Sequence, residues 1–163
     1  CGDGPAKNRL IARWKCRGNM AFLPIQPAEK LSELLSAADI HILPQLGCAA
    51  DLVLPSKLSG MLASGRPIIA TAKRGTALAN EVEEAGLVTP PEDLDALVEA
   101  IRGLAGDAEL RQRLGDAGRS HVLRNWDKMA ILRGFEEELM ALASEGSQLS
   151  TRRPSALQLD AAE

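Results

Sequence analysis

Short apolar runs alternate with stretches of helical periodicity along most of this chain, and that alternation is the pattern of βαβ units laid into a parallel sheet. NMAFL (19–23), IHILP (40–44), PIIATA (67–72) and GLVT (86–89) read as strands. Between them AKNRLIARWKCR (6–17), AEKLSELLSAAD (28–39), a segment begun by Pro55 and Ser56 and stopped by Gly65, and TALANEVEEA (76–85) read as helices. Leu31, Leu34, Leu35 and Ala38 fall at i, i+3, i+4 and i+7, one stripe of a helix. PPEDLDALVEAIRGLAG (90–106) places Leu94, Leu97, Val98, Ile101 and Leu104 on one face, with Pro and acids in its first turn. Two more helices are expected over 107–126 and 127–143, and from Ser147 onward the pattern dissolves into an expected disordered tail, 147–163.

The expected fold class is therefore α/β, an open, Rossmann-like doubly wound parallel sheet forming one domain over 1–146. A strand preceding Cys1 would give the Gly2-Asp3-Gly4 turn its context, so the sequence is expected to be a piece of a larger protein. Hydrophobic residues make up 45% but aromatics only 2%, which leaves Leu, Ala, Ile and Val to build the core. Nineteen Lys and Arg against 22 Asp and Glu give a net charge of −3, too little basic surface to replace phosphate counterions, so nucleic acid is not an expected partner. Three cysteines without CxxC spacing favour neither a disulfide framework nor a zinc site, and the expected setting is a reducing cytoplasm. No apolar run reaches the roughly 18 residues of a membrane span, and no signal peptide is legible.

In such a sheet ligands bind outside the carboxyl ends of the strands, which singles out the loops Gly2–Pro5, Pro24–Pro27, Gln45–Ser56 and Lys73–Thr76. Gly2 and Gly4 would let backbone approach a phosphate at the following helix start, although a plain tight turn accounts for them equally well. Lys7 stands where a dinucleotide fingerprint needs its third glycine, and no Walker sequence occurs. The helix start at Ser56 and Lys57 offers unpaired amides beside an ammonium, a diphosphate site or a simple Pro-Ser cap with a solvated lysine. A second start at Gly75 and Thr76, just after Lys73 and Arg74, makes the pair look like a site for a small polyanion. His41 in a strand and His121 on a helix read as structural, and no nucleophile elbow is present.

Taken together, GDGP followed by a helix, NMAFLPIQPAEKLSELLSAADIHILP, LPSKLSGMLASGRPIIATA, RGTALANEVEEAGLVTPPEDLDALVEAI and LGDAGRSHVLRNWDKMAIL resemble the C-terminal, donor-binding half of glycosyltransferase family 4. These are retaining, sugar-nucleotide-dependent transferases of the two-domain GT-B fold. The resemblance runs from Cys1 to about Leu142 and, within the family, looks most like bacterial exopolysaccharide and colanic-acid type transferases. It implies a nucleotide-sugar donor, UDP- or GDP-linked, as substrate and no separate cofactor. The base would meet backbone near Leu23 to Ile25, with Lys30 near the nucleotide. The Ser56 and Lys57 amides would hold the diphosphate, and Arg74, Gly75 and Thr76 would border the sugar.

Two departures stand out. The family's Glu-x7-Glu positions fall on Leu52 and Gly60, neither acidic, with Asp51 one residue early as a stand-in for the first. The basic pair that neutralises the leaving phosphate normally precedes the Gly-Asp-Gly turn and would lie outside this chain. The acceptor would bind a missing N-terminal domain, and because lipid-linked acceptors are usual in the family, peripheral membrane association of the full-length enzyme is an implied partner relation. The other readings are a nucleotide-sugar epimerase fragment of the same fold and a non-catalytic Rossmann-like interaction module.

Overall fold

The computed structural model describes residues 1–49 and 54–150. The chain divides into two compact units, Cys1–Leu123 and Arg124–Glu163. In chain order the first unit contains α1 (Lys7–Trp14), α2 (Leu31–Ser36), β1 (His41–Pro44), α3 (Lys57–Ala63), β2 (Ile68–Thr71), α4 (Ala77–Glu83), β3 (Gly86–Thr89), α5 (Leu94–Gly106) and most of α6 (Ala108–Asn125). The second holds α7 (Lys128–Ser150). This last helix runs through the first four residues of the expected tail, and 151–163 lie outside the described residues.

The strands pair in parallel in the order β1-β2-β3, with His41 opposite Ile68 and Ile68 opposite Gly86. Consecutive parallel strands need crossover helices, and α3 and α4 are those crossovers. Ile68, Ile69 and Ala70 of the middle strand are wholly buried, as expected when a parallel strand is covered on both faces. On β1 burial alternates instead, with His41 and Leu43 inside and Ile42 and Pro44 outside. Leu58 and Leu62 of α3, one turn apart, are fully buried, each contributing about 1.5 to 3 kcal/mol. Leu78, Ala79 and Val82 do the same for α4.

The strand expected over 19–23 does not form. A strand requires a ladder, and this extended segment has a single link of that kind, from Gly2 N to Leu23 O at 3.2 Å. The α5 stripe is also narrower than its sequence suggests: Leu104 is buried, but Leu94, in the first turn, is 73% exposed and Val98 is exposed as well. Only the half-buried Leu97 and Ile101 accompany Leu104 toward the core.

Helix ends follow their local chemistry. Thr76 caps α4 by accepting from Ala79 N at 3.4 Å, Asp93 caps α5 through Ala96 N at 2.9 Å, and Asp107 accepts from Leu110 N at 2.8 Å at the start of α6. Gly65, at φ +69, takes the left-handed turn that ends α3, and the fully buried Pro67 then leads into β2.

The amino-terminal edge of the sheet is tightly fastened. Arg66 donates from Nε and Nη2 to Ser36 O at 3.2 and 2.9 Å, and His41 Nε2 lies 3.1 Å from Ser64 Oγ. Gly115 of α6 is so close to the α3–β2 turn that a Cβ there would come within 2.0 Å of Gly65 O, while one at Gly118 would sit 3.1 Å from Ala85 Cβ. Gly115→Ala should therefore destabilise the fold by about 2 to 3 kcal/mol through overpacking against backbone. Gly103→Ala, in open space on α5, should instead stabilise it by about 0.5 to 1 kcal/mol. Urea denaturation of both variants checks this, and equal effects would remove the close approach of α6.

Burial, and secondarily the Arg66 charge, hold the His41 imidazole below its ordinary pKa of 6.5, against a raising contribution from the Leu35 backbone. The unfolded chain then binds more protons between the folded pKa and 6.5. Stability should be full above that pH and fall as the pH drops through this window. The stability advantage of the natural chain over His41→Gln should shrink between pH 7.5 and 5, since groups shared by both cancel. A pH-independent difference in unfolding free energy would contradict it.

Candidate functional site

Every crossover in a parallel sheet returns the chain to the same edge, so the loops after β1, β2 and β3 and the starts of α3, α4 and α5 must gather at the carboxyl ends of the strands. The edge is braced from within. Thr71, the last residue of β2, accepts from Gln45 N at 2.8 Å and donates to Gln45 O at 3.0 Å, which clasps the end of β1 to the end of β2.

Ser56 and Lys57 lie at this edge, both exposed. Ser56 already has helical dihedrals and its side chain caps nothing. The turn closes through Leu58 N to Pro55 O at 2.9 Å, so the Ser56 and Lys57 amides precede the first backbone bond of the helix. The Lys57 ammonium has no carboxylate within ion-pair distance among the described residues.

Arg74 and Gly75 follow β2 and are exposed, with Gly75 at φ +80 making the sharp turn. Thr76 is buried, and its hydroxyl is committed on both sides, donating to Lys73 O at 2.7 Å and accepting from Ala79 N. Its contribution is to shape the loop that presents Lys73 and Arg74. Asp51 lies outside the described residues, as does Leu52. Gly60 faces α2, where an added Cβ would stand 3.1 Å from Leu35 Cδ1.

The other residues singled out in the sequence form a second cluster. Gly2 is joined to Leu23 by its amide, and Cys1 Sγ donates to Pro24 O at 2.9 Å, so the Gly-Asp-Gly turn lies beside the segment carrying Ile25. Gly2, at φ +148, and Gly4 border a hollow of about 340 Å³ with Lys7, Leu10 and Phe22. Lys7 is engaged locally, its Nζ 3.0 Å from Asp3 Oδ1. Ile25 is exposed, and Lys30 is exposed at the end of a short 3-10 turn, Ala28–Lys30.

Three features were not legible in advance. A hollow of about 250 Å³ opens at the ends of β2 and β3, bordered by Lys73, Arg74 and Thr89. Within it Thr89 is only 6% exposed, and its hydroxyl, shut off from solvent, has no hydrogen-bond partner among the described residues, a deficit that costs about 1 to 3 kcal/mol. The parallel register puts Thr89 beside Thr71, the one signal the sequence held. Finally, His121 Nε2 lies 2.6 Å from Glu81 Oε2, joining α6 to α4 and taking Glu81 out of the solvated face expected for NEVEEA. Among the described residues no group of three His, Cys, Asp or Glu could hold a metal ion.

Comparison with known proteins gives this edge a context. Residues 1–121 match the family described as Glycosyl transferases group 1. Over 143 residues the chain is 36% identical to WcaI of Escherichia coli (strain K12), named a colanic acid biosynthesis glycosyl transferase. That match takes in 85% of this chain but 34% of the relative, so the chain spans about a third of its length. Among solved structures it is similar to sucrose-phosphate synthase from Thermosynechococcus elongatus, with a TM-score of 0.69 and 25% identity over 87% of this chain and 37% of that one. It is also similar in fold to Anabaena HepE, solved in complex with UDP, with a TM-score of 0.65 and 16% identity over 82% of this chain and 35% of that one. The fold is that of the Rossmann-like half of a GT-B glycosyltransferase. The chain belongs to the Glycosyl transferases group 1 family.

Proposed function

We propose that this chain binds a nucleoside diphosphate sugar along the carboxyl ends of β1 and β2 and, within a longer enzyme, supplies the donor side of a retaining sugar transfer. The observation that carries this reading is the convergence of two helix starts on one sheet edge. Each brings a cation without a carboxylate partner among the described residues, Lys57 at α3 and Lys73 with Arg74 just before α4. Positive ends of helices and ammonium groups favour a diphosphate. The UDP bound to Anabaena HepE and the name of WcaI support the same class of ligand. Family membership favours a transferase over an epimerase or a non-catalytic module.

The chemistry asked of these residues is modest. As the carbon–oxygen bond to the diphosphate stretches, positive charge develops at the sugar and negative charge on the leaving phosphate, so a fixed site that meets the growing negative charge lowers the barrier. Here the Ser56 and Lys57 amides and the Lys57 ammonium have that role, and the Gly75 turn keeps backbone close to the sugar. The acceptor belongs to an N-terminal domain of the intact enzyme, and polysaccharide or lipid-linked molecules are the acceptor class. No helix among the described residues is long and apolar enough to cross a membrane. Peripheral contact of a cytoplasmic full-length enzyme with lipid-linked acceptors is part of this proposal.

Titration of the chain with UDP, GDP and ADP, followed by calorimetry and thermal unfolding, tests the donor reading. At about 100 times its dissociation constant the cognate diphosphate should add roughly 2.7 kcal/mol of stability, and its nucleoside much less. Absence of any diphosphate effect, repeated on the full-length enzyme, would sink the reading. Lys57→Ala should weaken diphosphate binding about tenfold, or ~1.4 kcal/mol, and leave nucleoside binding unchanged. Identical affinities would take Lys57 out of the site.

A further inference from the structure

The hollow between the ends of β2 and β3 is separate from the start of α3, and although the donor reading already draws on Lys73 and Arg74 as cations of this edge, it assigns no role to the hollow or to Thr89. Ala72 and Thr89 are its buried floor, Lys73 and Arg74 its exposed basic rim, and Pro90 and Pro91 its stiff far wall. Backbone pairing holds the floor together, with Ala72 N donating to Thr89 O at 3.0 Å. The loop after β1 also reaches it, since a Cβ at Gly47 would lie 3.5 Å from Lys73 Cε and 3.6 Å from Pro91 Cβ.

Charge and hydrogen-bonding capacity are both left over here. Neither Lys73 nor Arg74 has an ion-pair partner among the described residues, although Glu92 and Asp93 follow Pro91 directly. Asp93 is engaged in capping α5 through Ala96 N. One strand away on the same face, the Thr71 hydroxyl both donates to and accepts from Gln45, whereas the Thr89 hydroxyl is buried and meets no such backbone. Two uncompensated cations over an unpartnered buried hydroxyl call for an oxyanion, which can accept from all three. Hydrophobic ligands would leave every one of those donors unmet.

The geometry points to an oxyanion subsite in this hollow, held by Lys73, Arg74 and Thr89, that takes a carboxylate or phosphate group of a small ligand. It deepens the donor reading, on which it rests only for the ligand's identity. A transferred sugar bearing a carboxylate would place that group beyond the Gly75 turn, next to Lys73 and Arg74. Such a site would make the enzyme select an acidic sugar over its neutral counterpart.

Amide NMR titrations of the chain at constant ionic strength, with sodium phosphate, glucuronate and glucose as probes, test the subsite. Phosphate or glucuronate should shift the Ala72, Lys73, Arg74 and Thr89 amides saturably, and glucose should not. In Lys73→Ala/Arg74→Ala the midpoint should rise at least tenfold with the rest of the spectrum unchanged. Thr89→Val, which keeps shape and removes the hydroxyl, should raise it about threefold. If neither anion shifts these amides, or the double variant responds like the natural chain, the subsite is refuted.

Comparison of UDP-glucuronate with UDP-glucose then separates the sources. A preference of fivefold or more for the acidic sugar that vanishes in the double variant assigns the carboxylate of the donor sugar. Equal binding of the two, with the anion shifts intact, keeps the subsite and assigns it to a phosphate. If no nucleotide binds while the anion shifts persist, the donor reading fails and the subsite stands.

Discussion

Burial of β2 on both faces is the constraint on which the rest of the first unit depends. Ile68, Ile69 and Ala70 have no exposed surface, so each face of the sheet must carry a helix layer, and a strand paired in parallel on both sides can be reached only through crossovers. The crossovers α3 and α4 bury Leu58, Leu62, Leu78 and Val82 in this packing, and α5 also packs on β2 and β3. Once they do, their starts have no choice of edge. The location of a polar site at the carboxyl ends of β1 to β3 is thus a consequence of where the apolar residues are.

The two edges of the sheet are built differently, and the difference suits their roles. At the amino-terminal edge contacts are close and satisfied: Arg66 on Ser36 O, His41 against Ser64, and Gly115 pressed onto the Gly65 carbonyl. At the carboxyl-terminal edge the backbone makes tight turns, with Gly75 at φ +80 and Glu92 at φ +65. A non-glycine residue in the left-handed region costs about 1 to 2 kcal/mol, and Glu92 bears it one residue past the wall of the Thr89 hollow. A rigid base lets the loops above carry exposed cations, turns and an unpaired hydroxyl without loss of the fold.

The order of elements was legible because the apolar spacing changes period at each boundary. IHILP, PIIATA and GLVT became β1, β2 and β3 within a residue or two, and Gly65 stopped its helix where φ +69 was needed. What failed, failed where a segment depends on a partner. NMAFL has strand composition, but a strand is a pairing, and among the described residues the backbone link that Leu23 makes is the one to the Gly2 amide. Leu94 fits the α5 stripe by periodicity, yet it lies in the first turn and stays exposed. At the candidate site the exposed basic residues could be read from the loops, whereas the Thr71 clasp and the orphaned Thr89 hydroxyl could not, because they depend on strand register between residues far apart in sequence. Thr76, read as bordering a ligand, turned out to have both hydrogen-bonding capacities committed to its own turn.

Charge distribution completes the argument. A chain with net charge −3 has no general attraction for anions, so any affinity for one must come from local placement. Four of its 19 Lys and Arg residues are engaged elsewhere: Lys7 on Asp3, Arg66 on Ser36, Arg102 on Glu99 and Arg111 on the end of α5. Lys57, Lys73 and Arg74, by contrast, lack carboxylate partners among the described residues and share one edge of the sheet. Partnerless cations repel one another weakly in water and gain most when a single multivalent anion meets them together. An edge of that kind is poorly suited to a neutral ligand and well suited to a ligand with several negative oxygens spaced along it, such as a diphosphate followed by an acidic group.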